Sequence, residues 1–137
     1  MVEIFGYEKT EAFCELNAYK YHYRHELKNG QEDLDKASNY ENMLQQMISN
    51  DPRFKIAEHY GCRRQMQQLI EEMSELTQAL CKCFRSNGEV HENLIEELAD
   101  VKLVLDQVIF LLACNEEVLE IMKQKTNRTI ERMKGDD

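Results

Sequence analysis

Leu69-Ile70-Glu71-Glu72-Met73-Ser74-Glu75-Leu76 and Leu94-Ile95-Glu96-Glu97-Leu98-Ala99-Asp100-Val101 align residue for residue at a spacing of twenty-five positions. At about 100° of rotation per residue, each copy carries an apolar stripe: Leu69, Met73, Leu76 and Leu80 in the first, Leu94, Leu98, Val101 and Leu105 in the second. Two acids three residues apart flank each stripe on one edge, Glu72 with Glu75 and Glu97 with Asp100. The repeat predicts two helices that present the same surface. Arg85 to His91, containing Ser86-Asn87-Gly88, is the turn that folds them into an antiparallel hairpin. Glu72 then comes level with Asp100, and Glu75 with Glu97, so all four carboxylates share one height.

Outward from this hairpin, the chain reads as an all-α bundle of about five helices. Thr10 is the expected cap of a first helix, about Glu11 to Lys28, that Asn29-Gly30 stops. A second runs from about Gln31 to Ser49, with Leu34, Ala37, Tyr40, Leu44 and Met47 at helical spacing. Asp51-Pro52 opens a long third helix reaching about Phe84, the fourth spans about Glu92 to Cys114, and Asn115 caps a fifth over Glu116 to Lys134. The expected division is an N-terminal helical hairpin over 1–50 and a helical core over 51–137. A length of 137 residues with 42% hydrophobic content leaves no room for a separate cofactor module. One proline, five glycines and no tryptophan favour helices over strands.

The balance of 26 acidic against 17 basic residues gives a formal net charge of −9. A field of this sign repels phosphate backbones and anionic lipid surfaces, so neither nucleic acid nor membrane is an expected partner. The most apolar stretch, Val101 to Cys114, is too short for a bilayer and contains Lys102, Asp106 and Gln107. Met1 to Thr10 has no pattern of a secretory leader. Five scattered cysteines without paired CxxC spacing fit a reduced, cytoplasmic compartment.

Four carboxylates converging beside a core repel one another by roughly 3 to 4 kcal/mol per pair at separations of about 4 to 6 Å and an effective dielectric near 20. A divalent cation turns that repulsion into ligation. The donors are all oxygen, with no His or Cys in the motif, so the hard ions Mg²⁺ and Mn²⁺ fit better than zinc. Glu-x-x-His, which a ferritin-like di-iron site wants, is present in neither helix. Glu71 lies further around from the stripe than Glu72 and is the candidate to orient a water, whereas Glu96 reads as a solvated charge.

Glu71-Glu72-Met73-Ser74-Glu75 followed by Glu97-Leu98-Ala99-Asp100 resembles the signature of the MazG-like nucleoside triphosphate pyrophosphohydrolases, an all-α superfamily with EExxE followed by ExxD. The resemblance runs from about Ile56 to Met133 and includes Gln65 and the Lys-rich last helix. It implies Mg²⁺-dependent cleavage of a nucleoside triphosphate to the monophosphate and pyrophosphate, with Glu72, Glu75, Glu97 and Asp100 as metal ligands. Gln68 stands where many relatives have lysine. Together with Lys123, Lys125, Asn127 and Arg128 it is a candidate for substrate binding.

Asn17-Ala18-Tyr19-Lys20-Tyr21-His22-Tyr23-Arg24, with Lys28-Asn29-Gly30-Gln31-Glu32-Asp33-Leu34-Asp35-Lys36-Ala37 and Tyr40, resembles a helical-hairpin domain of unknown function common in phage proteins. Here a basic, aromatic helix bearing Lys20, Arg24 and Lys28 is joined by a glycine turn to Asp33 and Lys36, which can pair across the hairpin. No Gly-rich Walker loop is present, which disfavours P-loop kinase chemistry. The apolar stripes exceed what one thin bundle hides, so a homodimer or homotetramer is expected. The principal reading is a Mg²⁺-dependent hydrolase acting on a nucleoside triphosphate; its alternatives are a non-catalytic nucleotide or metal sensor or adaptor, and a structural bundle whose acids are surface charges.

Overall fold

Glycines in the left-handed region set helix ends that apolar spacing alone does not. In the computed structural model, which describes residues 2–86, 90 and 92–135, seven helices are present and no strand occurs among the described residues. They are α1 (Val2–Phe5), α2 (Tyr7–Arg24), α3 (Gln31–Asn50), α4 (Pro52–Tyr60), α5 (Cys62–Arg85), α6 (Glu92–Leu112) and α7 (Asn115–Gly135). The long third helix expected from Pro52 to Phe84 is two helices, because Gly61 takes φ 81° and interrupts the ladder between α4 and α5. Thr10 is not a cap: it is buried inside α2, where its hydroxyl donates to the Gly6 carbonyl at 2.8 Å. Of the turn expected at Ser86-Asn87-Gly88, Ser86 is a turn residue, while Asn87 and Gly88 lie outside the described residues.

The chain divides into two compact units, Met1–Lys55 and Ile56–Asp137. In the first, α2 and α3 pack on each other. Cys14 and Ala18 on one helix and Ala37 on the other are buried, and side chains this small let the backbones approach closely. Above them Tyr21 and Tyr40 stack at 5.9 Å, with the Phe13 ring edge-on to Tyr40. The α2 ladder ends at Arg24, four residues earlier than expected, where bonding shifts to the three-residue pattern of Leu27 N–H on the Arg24 carbonyl.

Arg24 grips Asp33 through two parallel hydrogen bonds of 2.8 Å from its Nε and terminal nitrogen. Asp33 is fully buried, so this fork is what keeps its charge tolerable. Lys36 pairs with Glu32 on its own helix and also reaches across the hairpin, its ammonium 5.8 Å from the centre of the Tyr21 ring. The Arg24 hydrogen bonds pull the Asp33 carboxyl down to about 2 against opposing desolvation, with further help from Arg24's charge and the Asn29 amide. A depressed carboxylate pKa gives stability that is present above the unfolded value, near 4, and disappears as pH falls through the folded one. Stability of the wild type is therefore expected to decline between about pH 4 and 2, and Asp33→Asn to flatten that part of a denaturant-derived profile. An unchanged slope would remove Arg24–Asp33 as the acid-labile contact.

In the second unit α5 packs on α6. Ala79, Leu94, Val104 and Val108 are buried, and Leu69, Leu76 and Val101 are half-buried beside them. Met73, Leu80, Leu98 and Leu105 are exposed, so the single apolar stripe expected on each helix is split between an inner and an outer face. The α6 helix stops at Leu112, not Cys114, in a Schellman motif: Ala113 N–H bonds to Phe110 O and Cys114 N–H to Ile109 O. Asn115 accordingly becomes the first residue of α7 instead of its cap. Ala113 holds φ 49°, a conformation that strains any residue with a Cβ. Replacing it with glycine is expected to stabilise the protein by about 1 kcal/mol, read as an upward shift of the thermal midpoint. A lower midpoint would contradict the strain.

Candidate metal centre

The α5–α6 register is fixed by a bond between two buried side chains. Gln65 Nε2 donates to Gln107 Oε1 at 2.9 Å, and both residues are almost wholly buried. Gln65 lies seven residues before Glu72 on α5, and Gln107 seven after Asp100 on α6, so the two helices run antiparallel with Glu72 facing Asp100. A buried amide pair specifies register more sharply than aliphatic contacts do, because slipping it costs the buried Gln65 amide its bond to Gln107.

At that height Glu72, Glu97 and Asp100 bring one carboxylate oxygen each into a group lying within 4.8 Å of one another. Glu72 is half-buried and Asp100 exposed, and Glu97 Oε2 is buried with no hydrogen-bond partner among the described residues. Glu75 and Glu71 are exposed, and neither belongs to the group. Three of the four expected ligands thus meet. Glu75, one turn beyond Glu72 on α5, stays beside the site without entering it.

Two amides hold the inner carboxylates. Gln68 Nε2 donates to Glu72 Oε1 at 2.6 Å, and Asn93 Nδ2 donates to Glu97 Oε1 at 2.8 Å, each from one helical turn upstream. Gln68, expected as a substrate contact, is here a partner of Glu72. Asn93 is the residue that sequence reasoning missed, although it stands at the same twenty-five-residue offset from Gln68 as Glu97 does from Glu72. Extending the repeat by one position at its N-terminal end exposes it.

A groove of about 310 Å³ adjoins the cluster through Gln68, with Ile56, Tyr60, Arg64 and Leu103 among its walls. Lys123, Lys125, Asn127 and Arg128 are all exposed on α7, which takes no part in the α5–α6 packing. None of these four side chains forms a hydrogen bond or ion pair with a described residue. The structure does not bring them to the acids within this chain.

Among the described residues the donor set fits a hard dication: three carboxylates, no sulfur and no imidazole, with a buried oxygen lacking a donor. Without a cation this arrangement is electrostatically costly, and neutralising Glu97 relieves it. Glu97→Gln is expected to raise the stability of the chelator-treated protein by on the order of 1 kcal/mol while abolishing Mn²⁺ uptake. Loss of stability in chelator would show that the carboxylate serves packing alone. No protein-family model, no curated protein and no solved structure matches this chain.

Proposed function

We propose that this chain hydrolyses nucleoside triphosphates to the monophosphate and pyrophosphate with Mg²⁺, which Mn²⁺ can replace, in keeping with its resemblance to the MazG-like enzymes. The observation that carries the reading is the meeting of one carboxylate oxygen each from Glu72, Glu97 and Asp100 within 4.8 Å, beside a Glu97 Oε2 that is buried without a hydrogen-bond partner among the described residues. Such a cluster suits phosphoryl chemistry, which needs charge neutralisation and positioning more than covalent help. Mg²⁺ held there would supply that neutralisation and activate a water for attack. Glu72, Glu97 and Asp100 hold the ion, Glu75 lies one turn away to join them by side-chain rotation, and Glu71 orients the attacking water. The neighbouring groove takes the sugar and base, with Arg64 on the same face of α5 two turns before Glu72.

A homodimer or homotetramer completes the site. The outer face of the hairpin supports this: Met66, Ile70, Met73, Leu80 and Phe84 of α5 are exposed at coiled-coil spacing, with Ile70 66% and Phe84 82% accessible. Lys123, Lys125, Asn127 and Arg128 then reach substrate from a neighbouring subunit. No helix among the described residues is long and apolar enough to cross a membrane.

The test is pyrophosphate release from a panel of canonical and modified nucleoside triphosphates, with and without Mg²⁺. Release is expected for at least one, strictly dependent on the metal. Glu72→Ala and Asp100→Ala are expected to lower it by about a hundredfold or more while retaining helical content. Wild-type rates in either variant would refute the ligand assignment, and binding without release from any triphosphate would favour a sensor or adaptor.

A further inference from the structure

The two amide donors do more than fill hydrogen-bond capacity. Gln68 occupies Oε1 of Glu72 and Asn93 occupies Oε1 of Glu97, in both cases from the preceding turn of the same helix. Each carboxylate is therefore turned with one oxygen toward its amide and the other left over. On Glu97 the remaining oxygen, Oε2, is the buried atom without a hydrogen-bond partner among the described residues. An oxygen that already accepts an amide hydrogen bond is the weaker ligand of its pair, so a carboxylate tethered by Oε1 favours ligation through its other oxygen.

We infer that Gln68 and Asn93 are positioning residues that restrict Glu72 and Glu97 to one ligating oxygen each, and so make the site select Mg²⁺ or Mn²⁺ over Ca²⁺. This rests on the metal reading given above. Ca²⁺ takes six to eight oxygens and commonly draws two from one carboxylate, whereas Mg²⁺ keeps an octahedral shell that waters and substrate oxygens complete. Two carboxylates limited to one oxygen each, beside Asp100, suit Mg²⁺ and leave Ca²⁺ with fewer protein oxygens than it commonly draws. The repeat explains how both amides arose in equivalent places: Gln68 and Asn93 are the residues immediately before its two copies.

The test is Mn²⁺ binding to the full chain, followed by the paramagnetic resonance of free Mn²⁺, with Ca²⁺ as competitor. Gln68→Met and Asn93→Leu, alone and together, remove the donors at nearly constant volume, and Asn93 is exposed, so its replacement leaves the helix packing intact. The wild type is expected to bind Mn²⁺ saturably and to resist Ca²⁺. The double variant is expected to bind Mn²⁺ about 10 to 100 times more weakly, with unchanged helical content, and to lose most of its preference for Mn²⁺ over Ca²⁺. Retention of wild-type Mn²⁺ affinity and Ca²⁺ discrimination would overturn the inference alone, and so would an equal loss of affinity for both ions. Absence of saturable Mn²⁺ uptake by the wild type would overturn the metal reading together with it.

Discussion

The register at which Gln65 bonds Gln107, and at which Glu72, Glu97 and Asp100 meet, is the constraint on which the second unit depends. Helix interfaces ordinarily exclude uncompensated charge, yet here carboxylate oxygens gather within 4.8 Å at the level where α5 meets α6. The surrounding packing makes this possible. Ala79 and the aliphatic residues Leu94, Val104 and Val108 anchor the two helices, and the Gln65–Gln107 bond fixes their relative height. A slip of one residue would break that amide pair and move Glu72 out of line with Asp100. Stability of the hairpin and convergence of the acids are thus set by the same register.

Much of this was readable in the residues. The repeat predicts the antiparallel pairing, and the height it assigns to Glu72 and Asp100 agrees with the register of the buried amides. Glu75 is the exception. Helical periodicity gives the direction of a Cα–Cβ bond to within a fraction of a turn, but the last two torsions of a glutamate decide whether its oxygens enter a cluster. The same resolution limit hid the division of the apolar stripe: Leu69 and Met73 lie on neighbouring faces, and only packing decides that the first turns inward and the second outward. Gly61 was overlooked as a break because the apolar spacing continues across it, while its backbone occupies a region that other residues rarely enter.

The first unit has a different logic. Its core is small, with Cys14, Ala18 and Ala37 at the α2–α3 contact, so orientation depends on polar and aromatic devices as much as on apolar area. Arg24 and Asp33 form a charged clasp where the chain reverses, and Tyr21 stacks on Tyr40 further along. Sequence reasoning named Arg24 and Asp33 as partners across the hairpin and named Lys36 with them. Lys36 serves both helices: its ammonium pairs with Glu32 one turn away on its own helix and lies over the Tyr21 ring of α2. Asp51 follows similar rules: its carboxylate accepts the Arg53 N–H at the start of α4 and the Arg53 guanidinium, and burial, which favours the neutral acid, is outweighed by these bonds so that its pKa falls.

The claim that the acidic cluster holds a hard dication is tested most directly by diffraction from Mn²⁺-soaked crystals at the manganese absorption edge. The account predicts an anomalous peak bounded by the carboxylates of Glu72, Glu97 and Asp100, lost when the soak contains excess chelator. A fully soaked crystal with no anomalous density there, and with Glu97 Oε2 hydrogen-bonded to a protein donor, would contradict it.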